Sequence, residues 1–248
     1  MIDTHAHISK EYYSNIKQVI NDAVNNNVLK IIISACDKES ISEGLELVKK
    51  YDNLYLSLGF HPLEANKTEE TDLIYLENIL KTSNSKIVAL GEIGLDYHYD
   101  DTNKIKQREL FTKQLEMAVK YKLPVVIHSR DSVQETYDIL KKYKLKGVIH
   151  CFSESLEMGK MFIRLGYYLG IGGVVTFKKA KIKDIVKELG LDNIVLETDS
   201  PYLSPIRGEV NAPKNIKLIA EFIANNNNLS LKEVELITNR NVKRVYNI

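Results

Sequence analysis

The apolar residues of this chain follow two alternating rhythms. Short runs dense in Ile, Val and Leu recur at Leu29 to Cys36, Leu54 to Leu58, Ile87 to Gly91, Pro124 to His128, Gly147 to Cys151, Tyr168 to Ile171 and Ile194 to Glu197. Between them, apolar positions return every three or four residues, as in Ile16, Val19, Ile20, Ala23 and Val24 of the segment from Ile16 to Val28. The first rhythm predicts strands covered on both faces. The second predicts amphipathic helices, here also over Ser40 to Tyr51, Thr71 to Leu80, Ile105 to Tyr121, Ser132 to Tyr143, Leu156 to Leu165 and Lys181 to Leu189. With Met1 to Thr4 as the first strand, strand and helix alternate throughout and the strands number eight.

Eight such units in about 200 residues are what a closed (β/α)8 TIM barrel of the α/β class needs, and 248 residues suit one barrel spanning residues 1–248 as a single domain. A doubly wound open sheet is the competing architecture; no G-x-G-x-x-G follows the first strand to support it. The tail from Pro213 to Ile248 reads as two extra C-terminal helices on the outer ring.

Composition narrows the function classes. A 44% hydrophobic and 27% charged chain is an ordinary soluble one, and no segment approaches the roughly 18 unbroken apolar residues of a membrane span. Asp3, His5 and His7 occupy the place of a signal-peptide core, so the chain is expected in the cytoplasm. Cys36 and Cys151 lack a C-x-x-C partner and read as reduced, mostly buried thiols. With 34 basic and 33 acidic residues the chain has no general basic footprint, so any polyanion must be held by a local cluster or by metal ions. Nothing points to a membrane or to an obligatory protein partner.

In a TIM barrel, reactive groups sit at the C-terminal ends of the strands. Strand one ends with His5 and His7, strand three with His61, strand four with Glu92, strand five with His128, strand six with His150 and strand eight with Asp199; His98 lies just past strand four. All six histidines therefore map to one rim. His5 and His7, two apart on a strand, point the same way with Cα atoms about 6.6 Å apart, close enough for two imidazoles to lean onto one ion. Imidazole and carboxylate without thiolate suit zinc, manganese or magnesium. Four histidines and two carboxylates exceed the needs of a single catalytic ion with an open position. Two divalent metal ions per chain would use them all, with Glu92 bridging, His5, His7 and Asp199 completing one ion, and His128 and His150 the other.

The segments I-D-T-H-A-H, L-G-F-H-P, G-E-I-G-L-D-Y, V-I-H-S-R-D, I-H-C-F-S and L-E-T-D-S-P-Y-L, followed by R-G-E-V-N-A-P, resemble the TatD family of metal-dependent deoxyribonucleases across essentially the whole chain. The resemblance implies a TIM barrel of the amidohydrolase superfamily with a two-metal site, and hydrolysis of phosphodiester bonds in DNA, often from the 3′ end, so the expected substrate is a single strand or an end. It carries the metal-ligand roles onto His5, His7, Glu92, His128, His150 and Asp199. Ala212, where the family often has Glu, and a short segment between Pro205 and Arg207 depart from the pattern.

Around the ligands, Arg130 is a candidate phosphate fork and Arg207 a second one. Gly170 to Gly173, with Lys178 and Lys179 beyond, could cradle phosphate or form a plain turn. His61, outside the six-ligand set, is free to hydrogen-bond substrate or move a proton. Asp199 is the expected base for the attacking water, which two ions would activate. Tyr97 is expected to pack against the rim rather than stack on a base. The competing function is another superfamily hydrolase cleaving an amide, ester or phosphotriester; Glu92, where many such enzymes bridge their metals with a carboxylated lysine, favours the nuclease branch.

Overall fold

Every strand expected from the sequence forms, and their order in space is their order in the chain. The computed structural model describes residues 1–99 and 101–248. The strands are β1 (Ile2–Ala6), β2 (Lys30–Ala35), β3 (Leu54–Leu58), β4 (Ile87–Asp96), β5 (Val125–Arg130), β6 (Gly147–Ile149), β7 (Tyr167–Ile171) and β8 (Ile194–Leu196). Each pairs in parallel with the next, which is the sheet of a TIM barrel. The intervening helices are α1 (Ile16–Asn25), α2 (Lys38–Lys50), α3 (Glu70–Leu80), α4 (Lys104–Tyr121), α5 (Val133–Leu140), α6 (Leu156–Arg164) and α7 (Ile182–Leu189), and the tail supplies α8 (Ile216–Asn227) and α9 (Leu231–Tyr246).

The sequence misjudged several boundaries. β4 runs five residues past Gly91, with its register against β5 shifting between Leu90 and Ile93. Its glycines read as a strand end, yet Gly94 has φ +150°, and a Cβ there would meet the His128 carbonyl oxygen at 1.9 Å. Gly94 thus lets β4 and β5 approach where Glu92 and His128 must meet. Helix α1 stops at Asn25, because the Asn26 amide closes the last turn and Asn27 turns left-handed at φ 62°.

Most apolar side chains pack between sheet and helices. A separate cluster fills the barrel interior, with Ile2, Ile32, Val88, Val126, Val148 and Val195 drawn from six strands and plugged by Val242, Val245 and Tyr246 of α9. The extra C-terminal helix therefore caps the end of the barrel away from the histidines, leaving the other end for chemistry.

Between β8 and β1 the ladder is thin. One bridge joins Ala6 to Ser200. Side chains do the rest: buried Asp3 accepts from the Thr198 amide at 2.9 Å and the Thr198 hydroxyl at 2.7 Å, and the Thr4 hydroxyl donates to the Leu196 carbonyl at 3.0 Å. Backbone bonds from His7 N to Ser200 O (2.7 Å) and from Asp199 N to His5 O (2.9 Å) complete the seam. His5, His7 and Asp199 are thereby fixed to one another by main chain before any side chain is considered.

Candidate metal centre

His5 leaves β1 itself, His7 follows it by one residue, and His128 lies within β5. His150 directly follows β6, His61 lies three residues past β3, and Asp199 three past β8. All converge with Glu92 on one buried cluster lining a cavity of about 570 Å³.

The separations match what divalent ions require. His5 Nε2 and His7 Nε2 are 3.2 Å apart, His5 Nε2 is 3.4 Å from Glu92 Oε2, and His7 Nε2 is 3.4 Å from Asp199 Oδ1. Two further pairs, His5 to Asp199 and His7 to Glu92, span 3.8 and 3.9 Å. Ligand atoms held 2.0–2.2 Å from one tetrahedral ion lie about 3.3–3.6 Å from each other, so His5, His7 and Asp199 already stand close to the separations of one ion's ligands, with Glu92 Oε2 beside the two imidazoles. Glu92 turns its other oxygen to a second set: Oε1 is 2.7 Å from His128 Nδ1, 3.7 Å from His61 Nε2 and 3.8 Å from His150 Nε2.

The second nitrogen of each ring decides which atom is free to ligate. His128 Nε2 is 2.9 Å from Asp96 Oδ2, which keeps a proton on Nε2 and leaves Nδ1, 2.7 Å from Glu92 Oε1, as the nitrogen a metal would take in place of a proton. His150 Nδ1 lies 3.0 Å from Glu197 Oε1, an ion-pair contact rather than an aligned hydrogen bond, and its Nε2 faces Glu92 and Asp199. His61 is the reverse case. Its Nδ1 accepts from the Leu63 amide at 3.2 Å, so the neutral ring carries its proton on Nε2 and presents a donor to the cavity. His61 thus sits within ligand distance of Glu92 and His128 but is held in the wrong tautomer to ligate.

Two glutamines on α4 position these groups. Gln107 clamps Asp96 by accepting from its amide (2.8 Å) and donating to its carbonyl (2.9 Å). Gln114, two helical turns on, does the same for Phe60 at 2.7 and 2.9 Å, next to His61. Each is fully buried, and each replaces a strand neighbour that the local backbone lacks.

The electrostatics ask for a cation. Glu92, Asp96, Glu197 and Asp199 are buried, and no Lys or Arg is buried among the described residues. Burial disfavours the charged form of Glu92, but the imidazoles of His150, His128 and His5 outweigh it and hold the carboxyl well below its usual range. Asp199 is lowered in the same way by His150 and His7 against its burial. Conversely, Glu197, Glu92 and Asp199 overcome burial at His150 and push it up to about 10. Burial alone dominates at His61, lowering it to about 3 and keeping it neutral. Four imidazoles around buried carboxylates, with the outer nitrogen of His128 held by Asp96, fit resident divalent ions.

Other expected residues fall on both sides of the cavity wall. Arg130 lines the cavity, lies 4.7 Å over the Tyr99 ring and forms no ion pair among the described residues, which removes the surface-pair reading with Asp131. Asp131 instead meets His98 Nδ1 at 2.9 Å, and the half-exposed His98 stays outside the ligand cluster. Tyr97 packs on the core and donates to Glu135 at 2.9 Å. Arg207 is absent from this cavity; it lines a neighbouring one of about 540 Å³ with Phe177, Lys178 and Ile206. Gly170 is spent on packing, since a Cβ there would strike the Glu197 carboxylate at 2.2 Å. Sequence reasoning missed Asp96, Glu197 and Cys36, which all touch the cluster. The signal for Cys36 was present, because it follows β2 at the same rim position that marked the histidines.

Barrel and donor set together define a metal-dependent hydrolase of the (β/α)8 type. The chain belongs to the TatD family: the family model for TatD related DNase matches residues 2–247. It is similar to YabD of Bacillus subtilis, named an uncharacterized metal-dependent hydrolase, at 37% identity over all of this chain and 99% of that one. A metal-dependent hydrolase of Methanocaldococcus jannaschii is 35% identical over 99% of this chain and 96% of its own. The crystal structure of the TatD homolog YjjV of Escherichia coli superposes with a TM-score of 0.94 at 31% identity, covering 100% of this chain and 98% of that one. No helix among the described residues is long and apolar enough to cross a membrane.

Proposed function

We propose that this protein hydrolyses phosphodiester bonds in DNA, acting at a single-stranded end, with two divalent ions held by His5, His7, Glu92, His128, His150 and Asp199. The observation that carries the reading is Glu92, whose two oxygens face two separate imidazole sets. Zinc, manganese or magnesium bound there would polarise a phosphoryl oxygen and lower the pKa of a water. The chain's own residues then have defined tasks. Asp199 turns Oδ1 to His7 and can take the proton of the attacking water on its other oxygen. His61 donates its Nε2 proton to a phosphoryl oxygen, and its neutral state is secured by burial. Arg130, with no carboxylate partner among the described residues, forks the phosphate and is steadied by the Tyr99 face.

The charge around the mouth limits the substrate's footprint. Among the described residues Arg130 is the only Lys or Arg lining the cavity, whereas Asp37 and Glu64 line it as acids. A long duplex track would need many phosphate contacts, so a terminal residue of a strand fits better. The same feature supports the second reading, a hydrolase for a small ester, amide or phosphotriester. Metal-reconstituted protein assayed against end-labelled single-stranded DNA, duplex DNA, RNA, a simple phosphodiester and an amide decides between them. Stepwise shortening of the single strand supports the nuclease; turnover confined to the small amide or triester overturns it.

A further inference from the structure

Among the donors outside the six-ligand set, Cys36 stands beside Glu92 and His7. Cys36 directly follows β2, and its backbone is pinned on both sides: its amide donates to the Ser40 hydroxyl at 3.0 Å and its carbonyl accepts from the His61 amide at 3.0 Å. That pinning turns the thiol inward. Sγ lies 3.6 Å from Glu92 Oε2, 4.0 Å from His7 Nδ1 and 3.5 Å from the Ser34 hydroxyl. An ion 2.3 Å from sulfur and 2.0–2.2 Å from oxygen spans donors up to about 4.3–4.5 Å apart, so Cys36 Sγ and Glu92 Oε2 lie within reach of one ion, while His7 turns Nδ1 to the sulfur and keeps Nε2 toward Glu92 and Asp199. The three come from three different parts of the barrel, after β2, within β4 and after β1, and hold donor atoms close enough for a shared cation. A side pocket of about 280 Å³ has Cys36 and His7 in its wall, together with Ser40 and Glu43.

We propose that Cys36 supplies a thiolate to the metal centre beside Glu92 and His7. As the sulfur–metal bond forms, the thiol proton leaves to bulk water. A soft sulfur donor favours zinc over magnesium or manganese, so Cys36 sets which ion the centre prefers. The inference rests on the proposed ligand set and not on the substrate.

The test uses the full chain stripped by chelator and loaded with cobalt(II) or zinc. Cobalt loading should produce a near-ultraviolet thiolate-to-cobalt charge-transfer band, lost in Cys36→Ser and kept in Cys151→Ser, the latter a necessary control because Cys151 lies beside His150 and Glu197. In the unmutated chain, zinc should slow alkylation of Cys36 by iodoacetamide about tenfold or more, read by peptide mass spectrometry, so the result does not depend on a variant folding. Cys36→Ser should weaken zinc about tenfold or more and leave magnesium nearly unchanged. A band that survives in Cys36→Ser, equal alkylation with and without zinc, or no zinc uptake at all would overturn the proposal. Zinc uptake without the band removes only the Cys36 role, and failure to hydrolyse DNA leaves it standing.

Discussion

Glu92 Oε1 lies 2.7 Å from His128 Nδ1, and the far nitrogen of that imidazole is 2.9 Å from Asp96 Oδ2. The chain of contacts runs from the carboxylate of Asp96, whose backbone an α4 glutamine holds, through a ring, to the carboxylate shared by both imidazole sets. Removing the shared charge should cost both ions, so Glu92→Gln is expected to hold fewer than one metal per chain after dialysis, by elemental analysis. Asp96→Asn should keep one ion firmly and bind the other about 10- to 100-fold more weakly.

The tautomer argument for His61 separates it from its neighbours. His61→Ala should retain full metal content and lose about 10²-fold or more in kcat, the scale of one oriented donor at developing charge. A drop in bound metal to one ion would show instead that His61 ligates.

Arg130 and Arg207 stand at two different cavities, and their variants should differ. Arg130→Ala is expected to raise KM about tenfold on any phosphodiester, with kcat and metal content little changed. Arg207→Ala should leave a minimal phosphodiester unaffected and raise KM only for strands long enough to reach the cavity beside Phe177 and Lys178. Equal effects of both variants on the minimal substrate would contradict this placement.

The raised pKa of His150 has a defined sign. Its folded-state value in the metal-free protein is about 10, above the ordinary 6.5, so the charged ring stabilises that form fully below about pH 6.5 and progressively less as pH rises toward 10. A metal must displace this proton. The gain in Tm on adding zinc should therefore be larger at pH 8.5 than at pH 6.5 in differential scanning fluorimetry, and an equal or smaller gain at the higher pH would contradict the coupling.

Much of this architecture was legible in the chain because two periodicities and a barrel rule suffice for it. Apolar runs located seven strands and the alternation completed the eighth at the N-terminus, and asking what each strand ends with found the converging histidines without any contact information. What stayed hidden depends on neighbours remote in sequence. Glycines at 91 and 94 look like punctuation, and only the β5 backbone beside Gly94 reveals why β4 continues. Asp96 and Glu197 look like ordinary acids near strand ends; their roles exist only opposite His128 and His150. The feature that sets His61 apart, the Leu63 amide on its Nδ1, required the turn to be built.

The central claim is hydrolysis by a centre in which Glu92 joins two ions. The most direct measurement titrates metal-free protein with zinc or manganese and follows, in the same samples, bound metal and cleavage of an end-labelled single-stranded oligonucleotide. The account predicts little cleavage at one equivalent and a rise that saturates at two, with Glu92→Gln inactive throughout. Full activity at one equivalent, or cleavage that persists in excess chelator, would contradict it.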